Sequence, residues 1–438
     1  MPQPGRPDRA RTFGKVFEER EVPLMDGASG DVGNAVEPGS DQEFGSRKIE
    51  RGGTVPECPV ARGSDGVWEV SGYDEARAVL RSTSTVQAGL GVETAAKLPK
   101  RIRRPVLYRD GPEHREHRRQ TARFFTPRRV DQHYRDVMVR VTQTQIDRLR
   151  ADRRARLSDL SFDLAIEVAC AVIGLTDSRP GIKERLERFF PERFGTPGLT
   201  SPHGIYWMLR QNTNWLRVYV GDVRPAVRAR RRTRRDDLIS HLIDDGCSNT
   251  EILGECLTFA AAGMVTTREF ISAAAWHLFS DTELLAHYRG AEEPDRLALL
   301  AEILRLEPVL GRLSRRTTAP LDLPGAHGGA LTVPAGDRID ILLDHVNVDE
   351  RTVGARPNCL RPGRAMKDAG APGLAFGDGP HKCPGLHIAL LETDIFLSRL
   401  FALPGVRMVN PPTIGFLEAI DSYELRHCVL EMNGEHTE

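Results

Sequence analysis

The stretch GLAFGDGPHKCPGLHIALL, residues 373–391, decides how the rest of this chain is interpreted. Gly377, Gly379 and Pro380 predict a tight, stiff loop, and Cys383 follows it at the beginning of a predicted helix. Backbone N–H groups at a helix N-terminus stabilise a thiolate, and the helix dipole adds to this effect. Because such a thiolate is a strong ligand for haem iron, the stretch predicts a haem-binding cysteine. The alternative is a buried structural cysteine after a glycine-rich turn, which is the commoner case for an isolated cysteine.

Composition argues against several other classes of protein. The 438 residues carry 61 Lys+Arg and 61 Asp+Glu, and this balance argues against nucleic acid as the main partner. The seven cysteines are scattered without a C-x-x-C pair, which indicates neither a disulfide framework nor a zinc module and fits a cytoplasmic protein. The N-terminus has no apolar signal core and no run of about 18 apolar residues occurs, so we expect no secretion signal and no membrane span.

The predicted organisation is one arm and one domain. Residues 1–55 are rich in Gly, Pro and charged residues and predict a disordered N-terminal arm, followed by a single domain over 56–438. That domain is predicted to be mainly α with a small β portion: strands fall within 321–343, and long loops at 84–108 and 176–205 are expected to be functional. Helices are predicted at 73–82, 112–124, 130–150, 158–174, 248–279 after the capping box Ser248-x-x-Glu251, from a second box Ser280-x-x-Glu283, from Pro294 to the residues before Pro308, and after Cys383.

The run F-G-x-G-x-H-x-C-x-G, residues 376–385, resembles the haem-binding signature of the cytochrome P450 family at every fixed position. The resemblance extends over roughly the whole predicted domain and leaves the arm outside. It implies the cytochrome P450 fold, haem b as cofactor and Cys383 as the iron ligand. It also implies that Phe376, His381 and Gly385 belong to the cofactor site.

Glu302 and Arg305 form an E-x-x-R pair on one face of a predicted helix. Alone this pair is a weak signal, but it lies 81 residues before Cys383, as the E-x-x-R of the family does. The resemblance implies a structural role, in which the pair and a basic residue from the segment before the cysteine loop form a buried network that holds that loop. Candidates for the third member are Arg356, Arg361 and Arg364.

The segment Asp110-Gly111-Pro112-Glu113-His114-x-x-x-Arg118 resembles the third-helix motif of the family. His114 and Arg118 are four residues apart, so both can point at one ligand, and the haem propionates need such cations. The resemblance adds His381 and Arg315 as propionate donors, and Arg315 is favoured over Arg316 by its offset from Leu323. The remaining basic residues are read as a solvated face, and we predict that it docks an acidic electron donor: Arg115, Arg119, Arg123 and Lys382.

The sequence Ala261-Ala262-Gly263-Met264-Val265-Thr266-Thr267 resembles the oxygen-side helix of the family. Gly263 would leave space beside the haem, and Thr266 would supply a hydroxyl that can hydrogen-bond dioxygen or a water. The family has an acid where this chain has Val265, so the usual relay of protons is not expected here. Glu269 lies about one turn further on but need not reach the same pocket. We therefore expect protons to come through water or from a polar group of the substrate.

The resemblance implies a haem-thiolate oxidase or monooxygenase that activates dioxygen to oxidise a small organic molecule, in keeping with bacterial enzymes of secondary metabolism. Electrons would come from NAD(P)H through a ferredoxin and its reductase. One alternative, motivated by Val265, is a coupling, ring-closing or peroxide-driven oxidation. Another is a haem-binding sensor or carrier without turnover, against which Gly263 and Thr266 argue.

Two further segments carry weaker signals. The very basic run at 224–237 fits either a nucleic-acid site or a solvated helix or connecting loop, and the neutral net charge favours the solvated helix or loop. Aromatic residues cluster in 200–219, where core packing is the default interpretation. By resemblance this neighbourhood covers the substrate pocket, so we expect some of these side chains to touch substrate: Tyr206, Trp207, Trp215 and Tyr219.

Overall fold

The computed structural model describes residues 42–51, 58–95, 103–190, 198, 200–324, 329–417 and 420–433. The α-helices are α1 Tyr73–Arg81, α2 Val92–Ala95, α3 Gly111–Thr121, α4 Pro127–Arg129, α5 Arg135–Asp152, α6 Leu157–Ile173, α7 Ile182–Phe189, α8 Pro202–Val218, α9 Arg224–Arg232, α10 Leu238–Asp244, α11 Asn249–Ser280, α12 Thr282–Gly290, α13 Glu293–Leu306, α14 Leu343–Val346, α15 Glu350–Val353 and α16 Leu386–Phe401. The strands are β1 Val60–Arg62, β2 Trp68–Val70, β3 Thr85–Ala88, β4 Arg154–Arg156, β5 Arg312–Thr317, β6 Leu321–Pro324, β7 Ala330–Val333, β8 Arg338–Leu342, β9 Val406–Asn410, β10 Thr413–Leu417, β11 Ser422–Arg426 and β12 Val429–Met432.

The helical core is built around α11. This helix packs against α6 and α16, while α5 packs on both of those helices and α13 packs on α16. Ser248 and Glu251 form the predicted capping box, in which each side chain accepts a hydrogen bond from the backbone N–H of the other residue. The second box is displaced from its predicted position, because Ser280 is the last residue of α11 and Asp281 caps α12 instead.

The β portion lies mostly in a five-stranded sheet of order β1-β2-β8-β5-β3, in which only the β2–β8 pair is parallel. The hairpin β6–β7, the pair β10–β11 and the sheet β4-β12-β9 are antiparallel. The predicted strands within 321–343 are therefore present as β6, β7 and β8. Residue alternation along β5 buries Arg315 and exposes Arg316, which matters for the site.

The region predicted to be irregular contains helices that its prolines obscured. Helix α7 and the start of α8 lie within 176–205, and Pro202 occupies the first turn of α8, where a missing N–H costs nothing. The basic run begins as α9, so its first residues form a helix and not a loop. Residues 96–102, 191–197 and 199 of the two predicted loops lie outside the described residues.

Part of the predicted arm packs on the domain. Phe44 and Ile49 are buried, and the backbone N–H groups of Lys48 and Ile49 donate to the Glu307 carboxylate at 2.5 and 3.3 Å. Residues 42–51 therefore belong with the packed body although the sequence placed them before its boundary. Residues 1–41 and 52–57 lie outside the described residues, so the disordered arm and the boundary at 55–56 remain predictions. In the part of the chain that the structure describes, no helix is long and apolar enough to cross a membrane.

Candidate active site

The cysteine loop is closed by its own backbone. Cys383 donates its N–H to the carbonyl of Phe376 at 2.8 Å, and its Sγ accepts the N–H of Gly385 at 3.4 Å. Helix α16 begins at Leu386, so Cys383 lies at the predicted helix N-terminus. The loop thus holds the sulfur beside a backbone donor, as the sequence predicted.

Glycine is required in this loop for two reasons. Gly377 has φ of +67° and Gly379 has φ of +65°, values that residues with a side chain rarely adopt. A Cβ on Gly379 would also collide with the carbonyl oxygen of Leu80 at the end of α1. The loop therefore lies directly against α1, and Arg77 and Arg81 of that helix fasten it further through ion pairs to Asp378 at 3.3 and 2.8 Å.

Opposing effects act on the Cys383 thiol. Desolvation by the surrounding protein raises the pKa of Cys383, while the Gly385 N–H and the Arg118 guanidinium lower it.

Two of the predicted propionate donors contact each other. The imidazole of His114 on α3 stacks on that of His381, with ring centroids 4.0 Å apart and planes 19° apart. Nε2 of His381 lies 2.9 Å from Oδ1 of Asp110, which also accepts the Gln87 N–H at 3.2 Å. Burial, and next to it the charges of His381 and Arg118, lower the pKa of His114 to about 4.

The other two predicted donors are arginines in different surroundings. Arg118 donates to the carbonyl of Lys382 and so reaches the cysteine loop from α3. Arg315 is only 4% exposed, and among the described residues its side chain makes one hydrogen bond, to the carbonyl of Ser314 at 2.8 Å. Burial lowers the pKa of Arg315 to about 10, and the nearby Asp110 opposes this shift. A buried guanidinium without an acidic side chain in contact, among the residues described, points to an anionic ligand.

The predicted E-x-x-R network is present and completely buried. Arg305 donates from Nε and Nη2 to the two carboxylate oxygens of Glu302 at 2.7 and 2.8 Å. Of the three candidates for the third member, Arg364 supplies the side chain, with Nε 3.0 Å from Glu302 Oε1, whereas Arg361 contributes its backbone N–H at 3.2 Å and Arg356 pairs with Glu43.

This network reaches the cysteine loop through one more residue. Arg305 donates to the carbonyl of Asn347 at 2.8 Å, and Oδ1 of Asn347 accepts the N–H of Leu374 at 2.8 Å. Leu374 is two residues before Phe376, whose carbonyl closes the loop around Cys383. The contacts therefore connect the buried pair with the loop that it was expected to hold.

The predicted oxygen-side residues occupy the middle of α11. A Cβ added to Gly263 would make only an ordinary contact, 3.7 Å from Cβ of Ala169, so packing of α6 does not by itself require glycine there. The Thr266 hydroxyl donates to the carbonyl of Ala262 at 2.5 Å. Val265 and Thr266 are partly exposed, whereas Thr267 is buried.

Glu269 does not supply the missing acid. Its carboxylate accepts hydrogen bonds from Arg268 Nε, from Arg426 Nη1 and from the backbone N–H of Leu425, each at 2.7 Å. These three hydrogen bonds hold the Glu269 carboxylate against β11. The expectation that its side chain need not reach the pocket therefore agrees with its contacts.

Sequence analysis missed two acidic residues. Asp110 belongs to the predicted third-helix motif, in which no role was predicted for it. Its carboxylate nevertheless lies in hydrogen-bonding contact with His381 and accepts a backbone N–H of β3. Glu392 on α16 is 3% exposed and adjoins Thr267, and its only signal in the sequence is an acid inside the apolar run IALLETDIF. Neither contact is visible from local sequence, because the partners lie in distant segments.

Comparison with known proteins shows which family and which relatives this chain resembles. The sequence profile described as "Cytochrome P450" matches residues 297–403. The "Mycinamicin VIII C21 methyl hydroxylase" of Micromonospora griseorubida is 27% identical over 322 residues, covering 70% of this chain and 75% of that protein. The "Cytochrome P450 monooxygenase PikC" of Streptomyces venezuelae is 29% identical over 347 residues, covering 77% of each chain.

The fold is shared with solved structures as well. The crystal structure of P450BioI in complex with hexadec-9Z-enoic acid ligated acyl carrier protein matches with a TM-score of 0.68 at 21% identity, covering 85% of this chain and 95% of that chain. The predicted fold, mainly α with a small β portion, is thereby confirmed. The chain belongs to the cytochrome P450 family and is an oxidoreductase of that class, with monooxygenases among its relatives. The family implies a haem-thiolate cofactor.

Proposed function

We propose that this protein is a haem-thiolate monooxygenase that activates dioxygen to oxidise a small organic molecule in secondary metabolism. The observation that carries the proposal is the cysteine loop, in which Cys383 Sγ receives a backbone N–H at the start of α16. The mycinamicin hydroxylase named above supports the metabolic context, because its name describes the tailoring of a secondary metabolite. A library of metabolites screened for perturbation of the haem spectrum, followed by product analysis with surrogate redox partners, tests the proposal. A protein that binds haem but consumes no NAD(P)H with any binder would overturn it.

Haem b fits the residues that are present. Cys383 would be the metal ligand, with Phe376 and Gly385 shaping the loop around it. Arg315 is a buried cation with no acidic contact among the described residues, and a haem propionate would supply the missing negative charge. His114, Arg118 and His381 are the further donors proposed for the propionates. When bound, the group would supply the iron chemistry that reduces and splits dioxygen with electrons from outside the chain.

The chain's own residues would prepare the oxygen side. Gly263 leaves the surface of α11 without a side chain at a point where the neighbouring helix does not need the space. The Thr266 hydroxyl donates to Ala262 and retains its oxygen as an acceptor, so it can pass a proton but is not the source of one. Because Val265 has no proton to give, the source would be water, a polar group of the substrate or another acid of the chain.

Val265 supports a second candidate function. A peroxide-driven oxidation needs no outside supply of protons, because hydrogen peroxide brings both of them, and a coupling or ring-closing oxidation is compatible with protons supplied by a polar group of the substrate. Product formation with hydrogen peroxide alone, at a rate equal to that with NAD(P)H and redox partners, would favour this candidate. A sensor or carrier without turnover is the weaker alternative, because Gly263 and Thr266 argue against it. Such a protein would consume no NAD(P)H above the rate of the redox partners alone.

Arg315 gives a test of cofactor binding with a matched control beside it. Arg315→Leu should weaken haem retention about 10- to 100-fold, because a charge-assisted hydrogen bond to a buried group contributes about 1.5–3 kcal/mol. Arg316→Leu should leave retention unchanged, since Arg316 points to the opposite face of β5 and donates to the carbonyl of Gly336. Haem transfer to apomyoglobin measures both variants. Equal transfer rates would show that Arg315 does not bind the cofactor.

Electrons are proposed to arrive from a ferredoxin that docks on basic residues of α3, of the 3-10 turn Ala122–Phe125 that follows it and of the cysteine loop. The Arg119 side chain is 74% exposed and, among the residues that the structure describes, pairs only with Glu116 of its own helix at 2.6 Å. Arg115, Arg123 and Lys382 are exposed as well. Arg119→Glu should slow reduction by ferredoxin at low salt about tenfold without changing substrate affinity. Stopped-flow reduction measures this effect.

The matched control for the docking proposal is Arg407→Glu. Arg407 is exposed on β9 and pairs with Glu431 of the neighbouring strand, so its reversal changes the net charge equally at a different part of the fold. Equal slowing in both variants would indicate a general charge effect. Unchanged reduction after reversal of every one of the four proposed docking residues would contradict the docking surface.

A further inference from the structure

Helix α8 exposes a stripe of apolar side chains. Ile205, Leu209 and Leu216 are 39, 59 and 61% exposed, and their spacing of four and seven residues places them on one face of the helix. Tyr206 and Trp215 beside them are 58 and 36% exposed, so that α8 carries five of the eight exposed large hydrophobic residues in the described part of the chain. Monomeric proteins rarely expose a contiguous apolar group of this kind unless it binds something.

The opposite face of α8 is the one that packs on the body of the protein. Asn214 and Val218 are buried there, and Nδ2 of Asn214 donates to the carbonyl of Arg188 on α7 at 2.8 Å. The edge of the Trp215 ring meets Phe189 of the same helix, with ring centroids 5.4 Å apart. These contacts fix the rotation of α8 about its axis, and the apolar stripe therefore points away from the core.

A stripe of arginines follows on α9. Arg224, Arg228 and Arg232 are exposed, they lie four residues apart on one face, and none of them has an acidic partner among the described residues. From the start of α8 to the end of α9 the sequence contains one acid, Asp222, which is buried and paired with Arg185 of α7 at 2.6 Å. The exposed face of these two helices is therefore cationic and carries no negative charge of its own.

The π-helical turn Tyr219–Val223 between the two helices brings both stripes onto one face. In an uninterrupted α-helix Val223, seven residues after Leu216, would continue the apolar stripe. A π turn takes in one additional residue, which moves every later residue by about 100° around the axis. Val223 is accordingly buried, and Arg224 is exposed in its place. The apolar stripe and the arginine stripe thus form one continuous surface.

The order of the two stripes decides between the possible occupants. They follow one another end to end over about 40 Å from Ile205 to Arg232, at 1.5 Å per residue. A helix that lies on a lipid surface instead carries its cations beside its apolar face along its length. Nucleic acid would leave Leu209 and Leu216 uncovered, and a second copy of this surface would offer the arginines no acid to pair with. A protein with an apolar patch next to an acidic one satisfies both stripes.

We propose that α8 and α9 together dock an acidic protein partner, which contributes an amphipathic helix of about 20 residues. A helix of that length reaches from Leu209 to Arg228. Its apolar side chains would pack on the stripe of α8, and its carboxylates would pair with the arginines of α9. Tryptophan, tyrosine and arginine, which α8 and α9 supply, are the residues that most often dominate the energy of protein interfaces. The inference goes beyond the proposed function and does not rest on it.

The probe for this surface is a synthetic helical peptide with leucines on one face of its first half and glutamates on the same face of its second half. The control peptide has lysine in place of every glutamate. Fluorescence anisotropy of the labelled peptides should show that the full-length protein binds the acidic peptide at least about tenfold more tightly at low salt, and that added salt reduces this difference. Equal affinity for the two peptides would overturn the proposal.

Substitutions locate the binding on the two helices. Leu216→Ala and Arg228→Ala should each weaken binding of the acidic peptide about tenfold, and only Arg228→Ala should also reduce its dependence on salt. Two matched controls lie elsewhere: Ile414 on β10 is 41% exposed, and the Arg119 side chain on α3 is 74% exposed. Ile414→Ala and Arg119→Ala should bind the peptide as the wild type does. Weakening in the controls, or unchanged binding in both test variants, would show that the peptide binds elsewhere.

Further measurements address the other occupants with the same variants. Cosedimentation with vesicles of phosphatidylglycerol and phosphatidylcholine that both Leu216→Ala and Arg228→Ala abolish would assign the surface to a lipid and overturn the proposal. A dimer in sedimentation equilibrium that Leu216→Ala dissociates would assign it to a second copy. Binding of a DNA duplex that Arg228→Ala weakens and Leu216→Ala leaves unchanged would assign the arginines to nucleic acid. A monomer that binds neither vesicles nor duplex, and binds the acidic peptide through both stripes, supports the proposal.

Discussion

The reduced, carbon monoxide-bound form of Cys383→Ser is expected to lose the thiolate type of haem absorption completely. Serine keeps the size of the side chain but is a far weaker ligand at neutral pH, since a hydroxyl does not ionise there as a thiol does. The Cys383 N–H bond to Phe376 should survive the substitution, so the loop should still close. Absorption spectroscopy of purified protein measures the effect.

Cys359 offers the matched control for this experiment. It also precedes α16 and is partly exposed, but it lies in the segment that contributes backbone carbonyls to the buried arginines. Cys359→Ser should retain the thiolate absorption. A Cys383→Ser protein that retains it would instead show that another of the seven cysteines is the ligand.

Removal of the Glu302 carboxylate should destabilise the protein by about 3–5 kcal/mol. Glu302→Ala leaves two buried guanidinium groups, those of Arg305 and Arg364, without their shared carboxylate. Their remaining partners are backbone carbonyls, which do not neutralise the charge. Urea unfolding should show the loss, and purified protein should be mostly free of haem because the cysteine loop has lost its support.

A surface ion pair at the start of the same helix gives the control for Glu302. Glu293 pairs with Arg135 at 2.7 Å, and both side chains are about one-third exposed. Glu293→Ala should cost at most about 1 kcal/mol and leave haem content unchanged. Well-folded, haem-loaded Glu302→Ala protein with normal stability would show that the buried network does not hold the loop.

Local sequence sufficed for the cysteine loop and for most long helices. The loop depends on glycines and a proline within ten residues, and α11 and α16 have apolar patterns and clear ends, so both features could be read without knowing the fold. Helix α7 and the start of α8 were missed, since prolines that start or flank a helix look like breaks when only composition is considered.

Residue partners that come from distant segments could not be predicted in the same way. Three arginines were equal candidates for the Glu302 network, and only the fold places the side chain of Arg364 there. The same limit explains why Glu392 was overlooked, because its neighbour Thr267 is 125 residues earlier in the sequence. Arg315 differs, since alternation along β5 buries it and exposes Arg316 once the strand is known.

The segment 42–51 also constrains the order in which the protein forms during synthesis. Its hydrogen bonds span 236 residues between Gly45 and Asp281 and 370 residues between Arg51 and Asp421. The ribosome therefore makes these partners 236 and 370 residues after the segment itself, and at typical rates of about 5–20 residues per second the segment waits tens of seconds for them. Its docking beside Glu307 and Asp421 therefore follows the synthesis of those residues, and the amide groups of this segment should gain protection from hydrogen exchange only after Asp421 has left the ribosome.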